Sequence, residues 1–380
     1  MKMRPSMSLQ PFTSVSAIVI SALLIQSAAM TADIEITKVE QMTMSHSLDW
    51  VRSKFGHSQG GNWDSVLDEI KWGTPAEGKK AVRNWDYRVT DQQWTEYIEK
   101  NGAAPDQEVK FDLWIPGETK VVKGLVAISS HGSGKALFEN PELRKIARKL
   151  DLALFRFLGN PVQRGFWPRS LLFDKLRDFG NEAGHPELPN APLFLYGHSN
   201  GTGFSAIFTA GASGRVWGWV SMRPGTTFQV FQPRAAAVPG LVIFGEDDHF
   251  LARPSIETNL DVVPLMRKQH NAVWNFAVEP NTGHGPTAKT WPLVFSFLKH
   301  SFAARVPADA DPSKGPVKLT QLDPDSGLRG GNWNSKTDGY QTLKVGTLED
   351  FKDDDTGASW LLNADYAKDW QTFQQFGEVR

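Results

Sequence analysis

The motif Gly-x-Ser-x-Gly occurs twice in this sequence, and a serine in that setting can serve as a nucleophile. The two copies are 56–60 (GHSQG) and 197–201 (GHSNG). The chemistry requires a sharp strand-to-helix turn, in which the flanking glycines relieve crowding around the serine. Only the second copy follows an apolar run, 191–196 (APLFLY), and precedes a predicted helix. We therefore predict that Ser199 is the nucleophile and that Ser58 is a loop serine.

A histidine must stand beside Ser199, because a serine hydroxyl needs a base to take its proton and a carboxylate to orient that base. Downstream of Ser199 the chain contains His249, His270, His284 and His300. Two of these fall within predicted helices, and His249 lies on the turn that carries the candidate acids. His284 lies in a glycine-flanked loop after a predicted strand, where α/β sheets place their sites. His284 is the predicted base.

The acid is expected directly after the predicted strand Leu241–Phe244. Three carboxylates follow that strand, Glu246, Asp247 and Asp248. Their positions on one turn leave all three open as the partner of the histidine.

Backbone N–H groups must also face the negative charge that develops on the substrate carbonyl oxygen. One donor is expected from Asn200, next to the nucleophile. The other is expected from the loop 129–134 (SSHGSG), whose small residues allow the backbone to approach a substrate closely. We favour the N–H of Ser133, with Gly132 as the alternative, and give His131 a supporting role in the loop.

Short apolar runs alternate with helical stretches between Val121 and Arg305, which predicts a mostly parallel, doubly wound sheet covered on both faces. The predicted strands are Val122–Ser129, Leu152–Phe157, Leu193–Tyr196, Val216–Met222, Leu241–Phe244 and Val273–Val278. The predicted helices are Pro141–Leu150, Leu171–Ala183, Gly201–Ala210, Glu257–His270 and Leu293–Phe302.

Segments of different composition flank this core. The stretch from Thr31 to about Gly117 is rich in tryptophan and irregular, with one predicted strand at Glu108–Ile115. Residues 33–305 are thus predicted to form the main domain with a tryptophan-rich N-terminal extension. Three prolines mark 306–316 as a linker, and 317–380 is expected to be a small, β-rich C-terminal appendage.

The first residues resemble an export signal. Lys2 and Arg4 precede the apolar run Val15–Ile25, and small residues follow, which suits cleavage after Ala29 or Ala32. We expect 1–32 to be a signal peptide and the mature protein to be secreted or periplasmic. The apolar run is shorter than the ~20 residues of a membrane span, so no stable membrane insertion is expected after cleavage.

Bulk composition narrows the classes of function. The 380-residue chain has a formal net charge of −1, so no general attraction to nucleic acid is expected. It contains no cysteine, which excludes thiol nucleophiles, thiolate metal sites and disulfides.

Four motifs in this order resemble the α/β-hydrolase superfamily over about Val121 to Arg305. They are HGSG at 131–134, GHSNG at 197–201, GEDD at 245–248 and GHG at 283–285. The likeness is to secreted feruloyl-esterase, polyhydroxybutyrate-depolymerase and dienelactone-hydrolase-like branches. It implies an acyl-serine mechanism with no metal and no organic cofactor. In such hydrolases the acid commonly stands three residues after the glycine, which favours Asp248 over Asp247.

The resemblance predicts hydrolysis of a carboxylic ester. The interval between Ser199 and Asp248 is too short for a large lid, so the cap is minimal and a bulky or polymeric ester is expected, with polysaccharide side chains as one candidate. A serine peptidase of the same fold and a non-catalytic binding protein are the alternatives. The aromatic residues proposed to line the substrate site are Phe166, Trp167, Phe228 and Phe231.

Overall fold

The computed structural model describes residues 31–42, 107–159, 169–224, 233–248, 256–334, 336–337, 339–351 and 359–379. The predicted leader up to Met30 and the loop serine Ser58 lie outside the described residues. Among the described residues, no helix is long and apolar enough to cross a membrane.

Eight strands form one mixed sheet in the order β1-β2-β4-β3-β5-β6-β7-β8. The first two strands run antiparallel to their neighbours, and the remaining pairs are parallel. The strands are β1 Ile34–Met42, β2 Gln107–Ile115, β3 Gly124–Ser129, β4 Leu152–Leu158, β5 Leu193–Ser199, β6 Val216–Pro224, β7 Gly240–Gly245 and β8 Trp274–Glu279.

Helices lie between most of the parallel strands, as the sequence predicts; among the described residues, β6 and β7 are separated by the 3-10 helix Pro233–Ala235. The α-helices are α1 Gly134–Phe138, α2 Pro141–Leu150, α3 Arg169–Ala183, α4 Thr202–Gly211, α5 Ile256–His270 and α6 Thr290–Arg305, followed by α7 Ala364–Phe376 near the C-terminus. Strand β1, the short helix α1 and helix α7 were not among the predicted elements.

Both faces of the sheet are covered. In β3, Leu125 and Ala127 belong to one apolar cluster, whereas Val126 and Ile128 belong to the other. This alternation follows from the period of two along a strand, and burial on both faces explains why the strands are continuously apolar. The predicted doubly wound, mostly parallel sheet is confirmed.

The C-terminal segment covers the free edge of β8. Its three short strands, β9 Leu328–Gly330, β10 Val345–Gly346 and β11 Ser359–Leu361, form a second sheet. Its longest element is helix α7, so the appendage is mixed rather than β-rich. It belongs to the same compact unit as the main sheet, which runs from Ala32 to Arg380.

Side chains of this appendage replace the missing strand neighbour of β8. Gln374 accepts from the N–H of Val278 at 3.2 Å and donates to its carbonyl oxygen at 2.7 Å. The indole of Trp370 donates to the carbonyl oxygen of Phe276 at 2.7 Å. An unpaired sheet edge is a template for aggregation, and these bonds close it.

The predicted linker is packed against the domain. It contains the short 3-10 helix Pro312–Lys314. The side-chain amide of Asn190 donates to the carbonyl oxygen of Pro312 at 3.1 Å.

Replacing Gln374 with alanine is expected to destabilise the protein. The change leaves the N–H and C=O of Val278 buried without partners, at about 1–3 kcal/mol for each group. A lower midpoint of urea unfolding with an unchanged slope would show the loss. Gln375→Ala on the same helix is the matched control, and equal midpoints for the two variants would contradict this role.

Candidate active site

Ser199 ends strand β5 and stands at a sharp turn before helix α4. Its φ of +54° is in the left-handed region, which non-glycine residues rarely adopt. The turn is tight enough that a Cβ on Gly197 would lie 2.0 Å from the carbonyl oxygen of Gly201. The residue is only 8% exposed. The sequence therefore produces the strand-to-helix turn that the Gly-x-Ser-x-Gly motif predicts.

Of the three carboxylates after β7, Asp248 contacts the histidine. Its Oδ2 lies 2.9 Å from Nδ1 of His284, and its side chain is 1% exposed. Because a carboxylate accepts, Nδ1 of His284 carries the proton, and Nε2 on the other side of the ring is the basic nitrogen. Glu246 instead accepts from the N–H groups of Asn281 and Gly339, each at 2.9 Å.

The turn at Ser199 and the loop of His284 meet through the residue before the serine. Nε2 of His198 donates to the main-chain oxygen of His284 at 2.8 Å. The centroids of the two imidazole rings are 5.1 Å apart. Three segments distant in sequence, carrying Ser199, Asp248 and His284, therefore converge at the carboxyl ends of the parallel strands.

One expectation for the loop 129–134, called the oxyanion loop for its predicted role, is not met. The N–H of Ser133, our favoured donor, points to Nδ1 of His198 at 2.8 Å, so it is already engaged and does not face a substrate. The N–H groups of Gly132 and Asn200 have no acceptor among the described residues. Ser133 is therefore not available as the predicted donor, and Gly132 remains the alternative candidate beside Asn200.

Tyr196 and His198 hold this loop through hydrogen bonds to Ser133. The sequence places Tyr196 only in a strand and His198 only in the Gly-x-Ser-x-Gly motif. Tyr196 is fully buried, and its hydroxyl is hydrogen-bonded to that of Ser133 at 2.6 Å. Burial raises the pKa of Tyr196 above its usual range, so the phenol stays protonated. Tyr196 and His198 are two residues apart on β5, and this spacing of polar side chains at the end of a buried strand was the available signal.

A buried ion pair lies next to the loop that carries His284, which is called the histidine loop below. This pair was not predicted from the sequence. Arg223 at the end of β6 has a φ of +45° and lies 2.5 Å from Glu279 at the end of β8. Its guanidinium also donates to the hydroxyl of Thr282 at 3.1 Å and to the carbonyl oxygen of Gly283 at 3.2 Å. Burial lowers the pKa of Arg223, and Glu279 opposes this shift. The pair thus braces the loop that presents His284.

Other predicted site residues are not placed. Phe166, Trp167, Phe228 and Phe231 lie outside the described residues. Within the part of the chain that the structure describes, no group of three or more carboxylate and imidazole side chains is arranged to hold a metal ion.

Three observations identify the architecture: the strand order, the turn at Ser199, and the positions of Asp248 after β7 and His284 after β8. The chain has the α/β-hydrolase fold. No family model matches the sequence, and no curated protein matches it significantly.

Solved structures of this fold are similar at low identity. An S-formylglutathione hydrolase from Agrobacterium tumefaciens is 12% identical with a TM-score of 0.36, covering 47% of this chain and 83% of that one. The poly(3-hydroxybutyrate) depolymerase LpqC from Bordetella parapertussis is 13% identical with a TM-score of 0.37, covering 55% and 90%. A cold-adapted esterase from an Arctic intertidal metagenomic library is 15% identical with a TM-score of 0.36, covering 53% and 88%. Function must therefore be argued from the site.

Gly197→Ala is expected to disrupt the turn, because its Cβ would meet backbone rather than a movable side chain. Overpacking of this kind destabilises by about 1–3 kcal/mol or more. Thermal unfolding followed by circular dichroism measures the loss. Gly214→Ala, where a Cβ meets open space, is the control, and a Gly197→Ala variant as stable as this control would refute the crowded turn.

Glu279→Gln is expected to destabilise by about 3–5 kcal/mol, since it leaves the buried charge of Arg223 uncompensated. Urea unfolding measures this change. Glu139→Gln removes a carboxylate from an exposed pair with Lys135 at 3.8 Å and should leave the midpoint almost unchanged. Similar midpoints for both variants would contradict the bracing role of the buried pair.

Proposed function

We propose that this protein is a serine hydrolase that cleaves a carboxylic ester through an acyl-serine intermediate. The observation that carries the proposal is the 2.9 Å contact between Asp248 and Nδ1 of His284, in a loop bonded to the residue next to Ser199. A carboxylate so placed fixes the imidazole tautomer and stabilises the imidazolium that forms during the reaction.

In the proposed reaction, Nε2 of His284 takes the proton of the Ser199 hydroxyl while the Ser199 oxygen attacks the ester carbonyl carbon. The N–H groups of Asn200 and Gly132 are the proposed donors to the resulting oxyanion. The intermediate collapses, and the alcohol leaves with the proton held by His284. Water, deprotonated by His284, then attacks the acyl group and releases the acid and Ser199.

Substrate class and location are further parts of the proposal. Only 48 residues separate Ser199 from Asp248, and they include all of α4, β6 and β7, which leaves little chain for a lid. This supports an open site suited to a bulky or polymeric ester, with polysaccharide side chains as one candidate. Export is supported by the leader, in which Lys2 and Arg4 precede the apolar run Val15–Ile25.

Ester turnover should depend on Ser199. With p-nitrophenyl acetate, Ser199→Ala is expected to lower kcat by at least about 10⁴-fold, as loss of the nucleophile does in serine hydrolases. Ser58→Ala changes the serine of the other Gly-x-Ser-x-Gly motif and should retain the wild-type rate. An aminoacyl anilide tested in parallel distinguishes peptidase from esterase activity.

Ester activity that persists in Ser199→Ala, or that disappears in Ser58→Ala, would overturn the assignment. Turnover of the anilide in preference to the ester would favour a peptidase.

A further inference from the structure

His198 has both ring nitrogens committed to main-chain groups of two different loops. Nδ1 accepts from the N–H of Ser133 at 2.8 Å, and Nε2 donates to the carbonyl oxygen of His284 at 2.8 Å. The residue is 4% exposed. One side chain thus connects the oxyanion loop to the loop of the proposed base.

The hydrogen-bond pattern defines the protonation state of this ring. Nδ1 faces an N–H donor and must be bare, whereas Nε2 faces a carbonyl oxygen and must carry the proton. His198 is therefore neutral. Burial is the main cause that lowers the pKa of His198 to about 4; the hydrogen bond to the main chain of His284 opposes this shift, and the positive charge of Arg223 adds to it.

The oxyanion loop is built against this ring. A Cβ on Gly132, which has a φ of +62°, would lie 2.3 Å from Nδ1 of His198. Ser133 is held at its N–H by His198 and at its hydroxyl by Tyr196. Because Tyr196 and His198 share one face of β5, a single rigid strand fixes the loop at two atoms.

The same ring also fixes the main chain of His284, whose side chain contacts Asp248. Asp248 orients the imidazole at Nδ1, and His198 holds the carbonyl oxygen of the same residue. The position of the base is thereby tied to the strand that ends at the nucleophile.

We propose that His198 is a positioning residue that keeps the oxyanion loop and the histidine loop in register with Ser199. It touches no reacting atom, and this inference rests on the proposed function. Replacing His198 is expected to change kcat rather than KM, since the two loops set the geometry of the transition state.

Two variants separate the two bonds of the ring. In His198→Asn the side-chain oxygen can stand where Nδ1 accepts from Ser133, but the amide is too short to reach His284. In His198→Gln the longer side chain can donate to the carbonyl of His284 but lacks an acceptor at the position of Nδ1. His198→Ala removes both bonds.

We expect His198→Ala to lower kcat for p-nitrophenyl acetate by about 10²-fold, the effect of misplacing reacting groups by about 1 Å, with little change in KM. Asn and Gln should each recover part of that loss. Circular dichroism verifies folding, and if the alanine variant does not fold, the Asn and Gln variants decide. A folded alanine variant with wild-type kcat would overturn the proposal, as would Asn and Gln variants no better than alanine.

A measurement independent of turnover uses Ser199→Ala protein labelled with ¹⁵N-histidine. Nuclear magnetic resonance should show His198 neutral with its proton on Nε2 at neutral pH. A cationic ring or a proton on Nδ1 would overturn the proposal even if Ser199 is the nucleophile. Conversely, ester activity that persists in Ser199→Ala refutes the proposed function without altering the tautomer result.

Discussion

The turn at Ser199 is the constraint on which the rest of the site depends. Its left-handed backbone conformation is unfavourable by about 1–3 kcal/mol for a residue with a side chain. It persists because β5 is buried along its whole length and pairs with β3 on one side and β6 on the other. The rigid sheet thus holds the serine at the end of a strand, where the adjacent loops can reach it.

Polar contacts, rather than a continuous apolar core, connect those loops. Each loop follows a parallel strand, so all of them emerge at the same edge of the sheet. His198 joins the oxyanion loop to the histidine loop. The ion pair of Arg223 and Glu279 supports the histidine loop. Glu246 links the turn of Asp248 to Asn281 and to Gly339 of the appendage. The C-terminal segment therefore contributes to the edge of β8 and also contacts the turn that carries the proposed acid.

Much of this arrangement could be predicted because buried positions and close backbone contacts each require particular residue types. Strands covered on both faces are continuously apolar, and the glycines of the turn mark where backbones approach closely. Strand β1 was missed although Ile34 and Ile36 alternate with polar residues, because that short pattern stands in an otherwise irregular region. The donor role of Ser133 was wrong because its acceptor is the side chain of His198, 65 residues away in sequence. The residues around Ser133 do not indicate which distant side chain its N–H will contact.

The central claim is that Ser199, His284 and the oxyanion donors form one reacting centre, and a crystal structure of the protein treated with a fluorophosphonate tests it most directly. The account predicts phosphorus bound to Ser199 Oγ, the phosphonyl oxygen about 2.7–3.1 Å from the N–H groups of Asn200 and Gly132, and His284 Nε2 within hydrogen-bonding reach of the adduct, about 2.6–3.2 Å. Phosphorus on another serine, or an imidazole of His284 turned away from the adduct, would contradict it.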